Sequence, residues 1–331
     1  MLSVLESINR GLSEAMSADS RVIILGEDIL DPYGGAFKVT KGLSTQFPER
    51  VITTPISEAG ITGLAIGMAM RGLRPVVEIM FGDFLTLTAD QIINHASKFR
   101  WMYNEKVRVP LLIRTPMGAR RGYGPTHSQT LESLFIGIPG LRVLAPSALG
   151  DAGNLLRDTI LSTEDPVLFV ENKLLYLLKK HEGWDEFDIS EPNRPGERIA
   201  VIRGAPQATL TITAYGYMSE IARQAVIRLA YEYEVFAELV IIEELAPVNI
   251  TTILNSLSRT HKLLTIEEGT LTLGWGTEII TRAVETLGQR LNSAHRLAAN
   301  ETPIPASKPL EDAALPGVEK IIETACKIMD K

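Results

Sequence analysis

Short apolar runs rich in β-branched residues alternate with helix-period stretches along most of this 331-residue chain. That alternation is the signature of an α/β fold built on mostly parallel sheets. "RVIILGED" reads as a buried strand ending in acids, and "RPVVEIMF", "VPLLIRTP", "LRVLAPS" and "PVLFVEN" read as four more. Helices are predicted between them at Ile61–Met70, Leu87–Trp101 and Leu149–Ser162. The last carries Ala152, Leu155, Leu156, Thr159 and Ile160, the spacing of one helical face.

From Lys179 to Arg198 the pattern lapses into "KKHEGWDEFDISEPNRPGER", which reads as a linker. A smaller α/β unit follows, with strands "ATLTITAYG", "AELVIIEEL" and "HKLLTIEEG" and helices near Met218–Glu232 and Thr277–Leu287. The expected organisation is a first domain over residues 1–178, a linker over 179–198 and a second domain over 199–331, the length suiting two domains. A proline-rich connection, "NETPIPASKPLEDAALPG", precedes a final helix in which Cys326 is expected to pack.

Several function classes are disfavoured. A formal charge of −7 without basic runs speaks against phosphate-held nucleic-acid binding. The longest apolar run, Gly63–Met70, is far shorter than the ~20 residues that cross a bilayer. The N-terminus shows helical spacing rather than a signal-peptide core. One cysteine forms no intrachain disulfide and suits a reducing compartment, so a cytoplasmic location is expected. There is no G-x-G-x-x-G after the opening strand, no Walker loop and no G-x-S-x-G elbow, and the five histidines are scattered.

One stretch stands apart: "TTPISEAGITGLAIGMAMRG", Thr53–Gly72, sets Glu58 before an apolar helix holding Gly60, Gly63 and Gly67. Ser57 suits the N-cap, and Glu58 falls in the first turn, where the helix dipole favours negative charge. Apolar nearly all round, this helix is expected to be buried. Glycine costs about 1 kcal/mol in a helix interior, so the Gly63/Gly67 stripe implies close packing or a ligand.

The spacing Glu58, Gly63, Leu64, Gly67 resembles the pyrimidine-side motif of thiamine-diphosphate enzymes. More specifically, the chain resembles the beta subunit of the 2-oxo acid dehydrogenase decarboxylase component, of the pyruvate and branched-chain type. Further landmarks are "LGEDI", "YGGAFKVTKGL", "GLRPVVEIMFGDF", "DQIINHASKFR", "HSQ", "PGLRVLAPS", "DPVLFVEN", "EEG", "GWGTEI" and "TPIPASKPLEDAALP". The resemblance implies a transketolase-type pyrimidine-binding domain followed by a transketolase C-terminal-type domain, each a three-layer unit on a parallel sheet.

It also implies thiamine diphosphate, which as an ylid adds to the substrate carbonyl and takes up the electrons left by departing CO₂. Glu58 would hydrogen-bond the pyrimidine ring nitrogen, a role that a desolvated carboxyl with a raised pKa serves. Phe84 would stack on the aminopyrimidine, with Ile56 and Met80 completing the pyrimidine pocket. His127 would orient substrate or move protons during acyl transfer. Glu27, at a strand end, would join an acidic relay between paired cofactor sites. Relatives hold potassium on backbone oxygens, here matched near Leu111, Thr159, Ile160, Ser162 and Asp165. Phe81, one strand period away, and Asp83 receive no role.

The Gly-Asp-Gly segment and downstream Asn that bind the diphosphate and Mg²⁺ are absent from the sequence. The resemblance therefore implies half an active site, completed by an alpha subunit in an α₂β₂ heterotetramer that serves a lipoyl acyltransferase core. The reaction would be decarboxylation of a small 2-oxo acid with acyl transfer to lipoyl. Alternatives are an acetoin dehydrogenase beta subunit, half of a split transketolase, or a non-catalytic scaffold subunit.

Overall fold

The computed structural model describes residues 1–191 and 196–330. The first six strands are β1 (Val22–Gly26), β2 (Val51–Thr53), β3 (Arg74–Glu78), β4 (Leu112–Met117), β5 (Arg142–Leu144) and β6 (Val167–Asn172). Then come β7 (Phe187–Ser190), β8 (Glu197–Ile202), β9 (Leu210–Ala214), β10 (Ala237–Ile242), β11 (Glu244–Ala246), β12 (Lys262–Thr270) and β13 (Ser293–Ala299). The first sheet has the order β11-β5-β6-β4-β3-β1-β2, the second β13-β12-β9-β10-β8-β7. All pairings among β1 to β6 are parallel. So are β13-β12, β12-β9 and β9-β10, whereas β8 is antiparallel to both its neighbours.

The structure redraws the connection between the two units. β7 lies inside the segment read as linker and pairs with β8, so Phe187–Ser190 is the edge of the second sheet. Buried Phe187 against Trp184 supplies the apolar anchor within this polar run. Residues 192–195 of the expected linker, and Lys331, lie outside the described residues. The run "AELVIIEEL" is also not one strand. It breaks at Glu243, and its last part, β11, crosses over to pair antiparallel with β5 of the first sheet.

Helices cover the sheets. The helix predicted over Leu87–Trp101 extends from Leu85 to Met102, with Gln91–Ala96 wound as a π-helical segment. The helix predicted from Leu149 begins at Ala152, after Asp151 caps it by accepting the N–H of Asn154. The proline-rich connection holds a short helix, Lys308–Ala314, before the last one, Val318–Met329. No helix among the described residues is long and apolar enough to cross a membrane.

The helix Glu58–Met70 differs from expectation. Ile61, Thr62, Ala65, Ile66 and Ala69 face the core, but Gly60, Gly63, Leu64, Gly67 and Met70 form an exposed face, with Leu64 58% exposed. A Cβ at Gly67 would meet no atom within 4 Å, and one at Gly63 only Gln91 Cγ at 3.9 Å. Gly63 and Gly67 therefore serve no close packing inside this chain, whereas a Cβ at Gly60 would lie 2.8 Å from Ser57 Oγ. Ser57 holds the N-cap position but makes no side-chain cap hydrogen bond.

Candidate active site

Because β2, β1, β3, β4 and β6 are parallel, their carboxyl ends share one edge of the sheet. Ligand-binding groups of open α/β sheets gather at that edge. Glu27 follows β1, and Glu58 opens the helix after β2. Met80, Phe81 and Phe84 follow β3, His127 lies on the loop after β4, and Lys173 follows β6. The residues expected from the sequence to act on pyrimidine and substrate thus emerge from neighbouring strands.

Glu58 and Glu27 are both buried, 7% and 8% exposed. Burial pushes the Glu27 carboxyl above its ordinary range, and the charge of Glu58 adds to the rise, while the backbone N–H of Ser57 opposes it. One Glu27 oxygen, Oε1, is buried without a hydrogen-bond partner. Beside them Ile56 is 82% exposed, an apolar side chain with nothing of its own chain covering it.

The aromatic group at the end of β3 centres on Phe81, not Phe84. The Phe81 ring packs edge-on against His127, centroids 4.8 Å apart, and also meets Phe37 at 5.6 Å and Phe84 at 5.9 Å. Phe84 meets the His127 ring at 5.4 Å. Both phenylalanines and Met80 are half-buried. Thr126 Oγ1 lies 3.0 Å from His127 Nδ1, fixing the ring from its own loop.

Two residues that received no role, Asp83 and Lys173, hold this loop. Buried Asp83 accepts from the Gln129 backbone N–H at 3.2 Å and from Gln129 Nε2 at 2.9 Å, clamping the H-S-Q run. Lys173, 1% exposed, donates to the carbonyl of His127 at 2.5 Å and lies over the Phe81 and Tyr123 rings. Burial lowers its pKa to about 8, against the raising influence of Asp83 and Glu268. Beneath the edge, Arg114 on β4 binds both oxygens of Glu171 on β6, at 2.8 and 2.6 Å, and also Glu78 on β3. This buried network ties together the strands that carry the site.

The expected potassium donors do not form a ready cage. The carbonyl of Leu111 accepts Val167 N–H, that of Thr159 accepts Thr163 N–H, and that of Asp165 accepts the Thr163 hydroxyl. The carbonyls of Ile160 and Thr163 accept from Arg74 Nη1 at 2.9 and 2.7 Å. The turn already holds a buried cation, and a second positive charge beside Ile160 would be repelled. The carboxylate of Asp165 is turned instead to Arg100, at 2.8 and 2.7 Å. Among the described residues no cluster of three His, Cys, Asp or Glu side chains could hold a metal.

A cleft of about 900 Å³ opens elsewhere between the domains, along Ile136–Arg142, Ala246–Val248 and Thr277–Arg282. It is lined by none of Glu27, Glu58, Phe84 or His127.

Fold and site together define a transketolase-type chain. Residues 1–179 match the transketolase pyrimidine-binding domain, and residues 200–321 match the transketolase C-terminal domain. The chain is 39% identical to pyruvate dehydrogenase E1 component subunit beta-2, mitochondrial, of Oryza sativa subsp. japonica, over 98% of this chain and 85% of that protein. It is 35% identical to the acetoin:2,6-dichlorophenolindophenol oxidoreductase subunit beta of Cupriavidus necator, over 99% of this chain and 97% of that one. A solved split-gene transketolase, an inactive beta4 tetramer, shares the fold at a TM-score of 0.77 and 20% identity, covering 100% of this chain and 99% of that one. The chain belongs to the family of thiamine-diphosphate-dependent 2-oxo acid dehydrogenase beta subunits.

Proposed function

We propose that this chain is the catalytic beta subunit of a 2-oxo acid dehydrogenase, active only once joined to an alpha subunit. The observation that carries this reading is the convergence of Glu27, Glu58, Phe84 and His127 on one sheet edge, from strands far apart in sequence. A scaffold subunit would need none of these groups, and burying two carboxylates side by side costs stability.

The residues present suit one end of thiamine diphosphate. Glu58 would hold the pyrimidine ring nitrogen, Phe84 its face, and Ile56 and Met80 its rim; the orphaned Glu27 oxygen fits a site awaiting a partner. When bound, the cofactor supplies a carbanion-stabilising centre for decarboxylation. Glu58 would hold or release a proton at that ring nitrogen, and His127 would orient the substrate carboxylate or donate a proton during transfer to lipoyl. The sequence offers no Gly-Asp-Gly for the diphosphate, so Mg²⁺ and its ligands would come from the alpha chain. The assembly would be α₂β₂, cytoplasmic, and docked to a lipoyl acyltransferase core. A first unit over residues 1–178 suits the family, and the second, expected over 199–331, takes in β7 and β8 as well, since both belong to its sheet. Potassium is given no part, since Arg74 fills that turn.

A second reading, acetoin oxidation, draws on the acetoin-acting relative, which matches over nearly its whole length. The test is co-expression with the candidate alpha chain and an artificial-acceptor assay over pyruvate, branched-chain 2-oxo acids and acetoin. Turnover of a 2-oxo acid by the complex alone supports the proposal. Turnover by the isolated chain overturns the half-site, and turnover of acetoin alone selects the second reading.

A further inference from the structure

The loop that carries His127 leaves β4 through Gly118, Arg120, Gly122 and Gly124, all with positive φ, between 68° and 94°. Such a backbone cannot pair in a sheet, and its N–H groups need acceptors from elsewhere. The second domain provides them through two buried carboxylates. Glu268 at the end of β12, 5% exposed, accepts Ala119 N–H at 2.6 Å. Glu311 in the helix Lys308–Ala314, 0% exposed, accepts Arg120 N–H at 2.7 Å and Gly122 N–H at 3.3 Å.

Other contacts close the same seam. The Arg120 guanidinium donates to the carbonyl of Pro316, and Ala119 packs with Ala299, Ile304 and Leu315. A Cβ on Gly122 would lie 3.3 Å from the carbonyl oxygen of Ala306, so the loop is pressed onto this segment. Glu311 forms no ion pair among the described residues; backbone amides are its hydrogen-bond donors, and the Lys173 ammonium feels its charge from farther off. A buried carboxylate costs several kcal/mol unless hydrogen bonds and opposite charge offset it. An apolar residue would serve mere packing better, so the carboxylate is there for the amides.

We propose that Glu311, with Glu268, is a positioning residue that latches the His127 loop from the second domain and so sets the imidazole over the edge of the first sheet. This rests on the reading of His127 as an active-site group, but the latch has its own physical readout. Arg120 and Arg121 make the loop a tryptic site, and the latch shields it.

The experiment uses the chain assembled with its alpha partner and compares wild type, Glu311→Ala, Glu311→Gln, His127→Ala and the Glu311→Ala/His127→Ala double variant. Tryptic cleavage after Arg120 or Arg121 should be at least about tenfold faster in Glu311→Ala, because native-state cleavage follows local opening. Glu311→Gln, which keeps an acceptor oxygen and its volume, should fall between. In turnover of 2-oxo acid with a lipoyl acceptor, Glu311→Ala should lower kcat about tenfold with KM nearly unchanged, since misplacing a reacting group costs rate. In the His127→Ala background the same change should cost less than about twofold, the mark of a residue acting through its neighbour.

Unchanged cleavage in both Glu311 variants overturns the latch. Faster cleavage with losses that multiply in the double variant overturns the route through His127. If wild-type complex turns over no 2-oxo acid, the functional reading fails, while the cleavage rates still decide the latch.

Discussion

The Asp83 carboxylate grips Gln129 twice, at the backbone amide and at the side-chain amide, and so joins the end of β3 to the loop after β4. Replacing Asp83 with Ala leaves these donors without their acceptor, a loss of about 1–3 kcal/mol of stability. The looser loop should also lower turnover by up to about a hundredfold. Urea midpoints and steady-state turnover of the assembled enzyme measure both, and full activity in Asp83→Ala would remove Asp83 from the site.

Glu58→Gln should leave assembly intact, because the side chain keeps its volume at the start of the helix Glu58–Met70. Decarboxylation should fall by about 10²–10⁴-fold, the usual worth of a positioned acid or base. Size-exclusion chromatography and CO₂ release report the two outcomes. Undiminished release by the purified variant would sink the assignment.

The junction between the domains should make stability fall as pH rises. Burial pushes Glu132 up to about 7, and Glu267 to about 7, from an ordinary 4.5. Glu132 accepts from the Tyr215 hydroxyl and feels the charge of Glu268, while Glu267 accepts from the amides of Trp275 and Gly276 and lies between the charges of Glu132 and Arg296. A carboxyl whose folded pKa is raised stabilises fully below its unfolded value and loses that contribution as pH climbs through the folded one. Thermal midpoints should therefore decline between about pH 4.5 and 7 on this account. Glu132→Gln should flatten the decline; an unaltered slope would show that Glu132 does not bind the proton.

Arg74 should make added potassium unnecessary. Thermal midpoints in KCl and in choline chloride of equal ionic strength should coincide. Arg74→Met should lower stability by about 2–4 kcal/mol, because two buried carbonyls lose charge-assisted donors. A midpoint that rises with KCl in the wild type would place the ion in this turn after all.

The exposed face of Gly60, Gly63, Leu64 and Gly67 should be where another chain rests. Gly67→Leu has room in the isolated chain, where no atom lies within 4 Å of a Cβ. Helix propensity alone should favour it by about 0.5–1 kcal/mol. Sedimentation with the alpha partner should nevertheless show impaired assembly, and normal assembly would leave the face without a subunit contact.

The places of the candidate site's residues were legible because several of them follow apolar strands directly. "RVIILGED" ends a strand at Glu27, while Phe84 in "GLRPVVEIMFGDF" and Glu58 at its helix start take their expected roles from the family resemblance. What stayed hidden has no local signature. Glu311 lies 191 residues from Arg120, within a proline-rich stretch whose helix is only seven residues long. Lys173 looks like any strand-end lysine until the loop folds back over it. β13 leaves no sequence signal because its residues are half-buried and show no apolar run, β2 because three residues carry no period, and β11 is fused with β10 in one apolar run. The glycine face differs only in its surroundings: the sequence implies close packing or a ligand, and within this chain nothing packs against Gly63 or Gly67.

The crossing of β11 into the first sheet has a further consequence. Its partner β5 has β6 on the other side, so without β11 its outer hydrogen-bonding edge would be bare. Arg142 would lose Glu244, and Ser147 would lose the buried Glu243 that accepts from both its amide and its hydroxyl. A fragment ending near residue 178 would then be a sticky, frayed piece rather than a working module. The two units should melt in a single cooperative step, and a gene dissected at their apparent seam should yield inclusion bodies instead of two soluble halves.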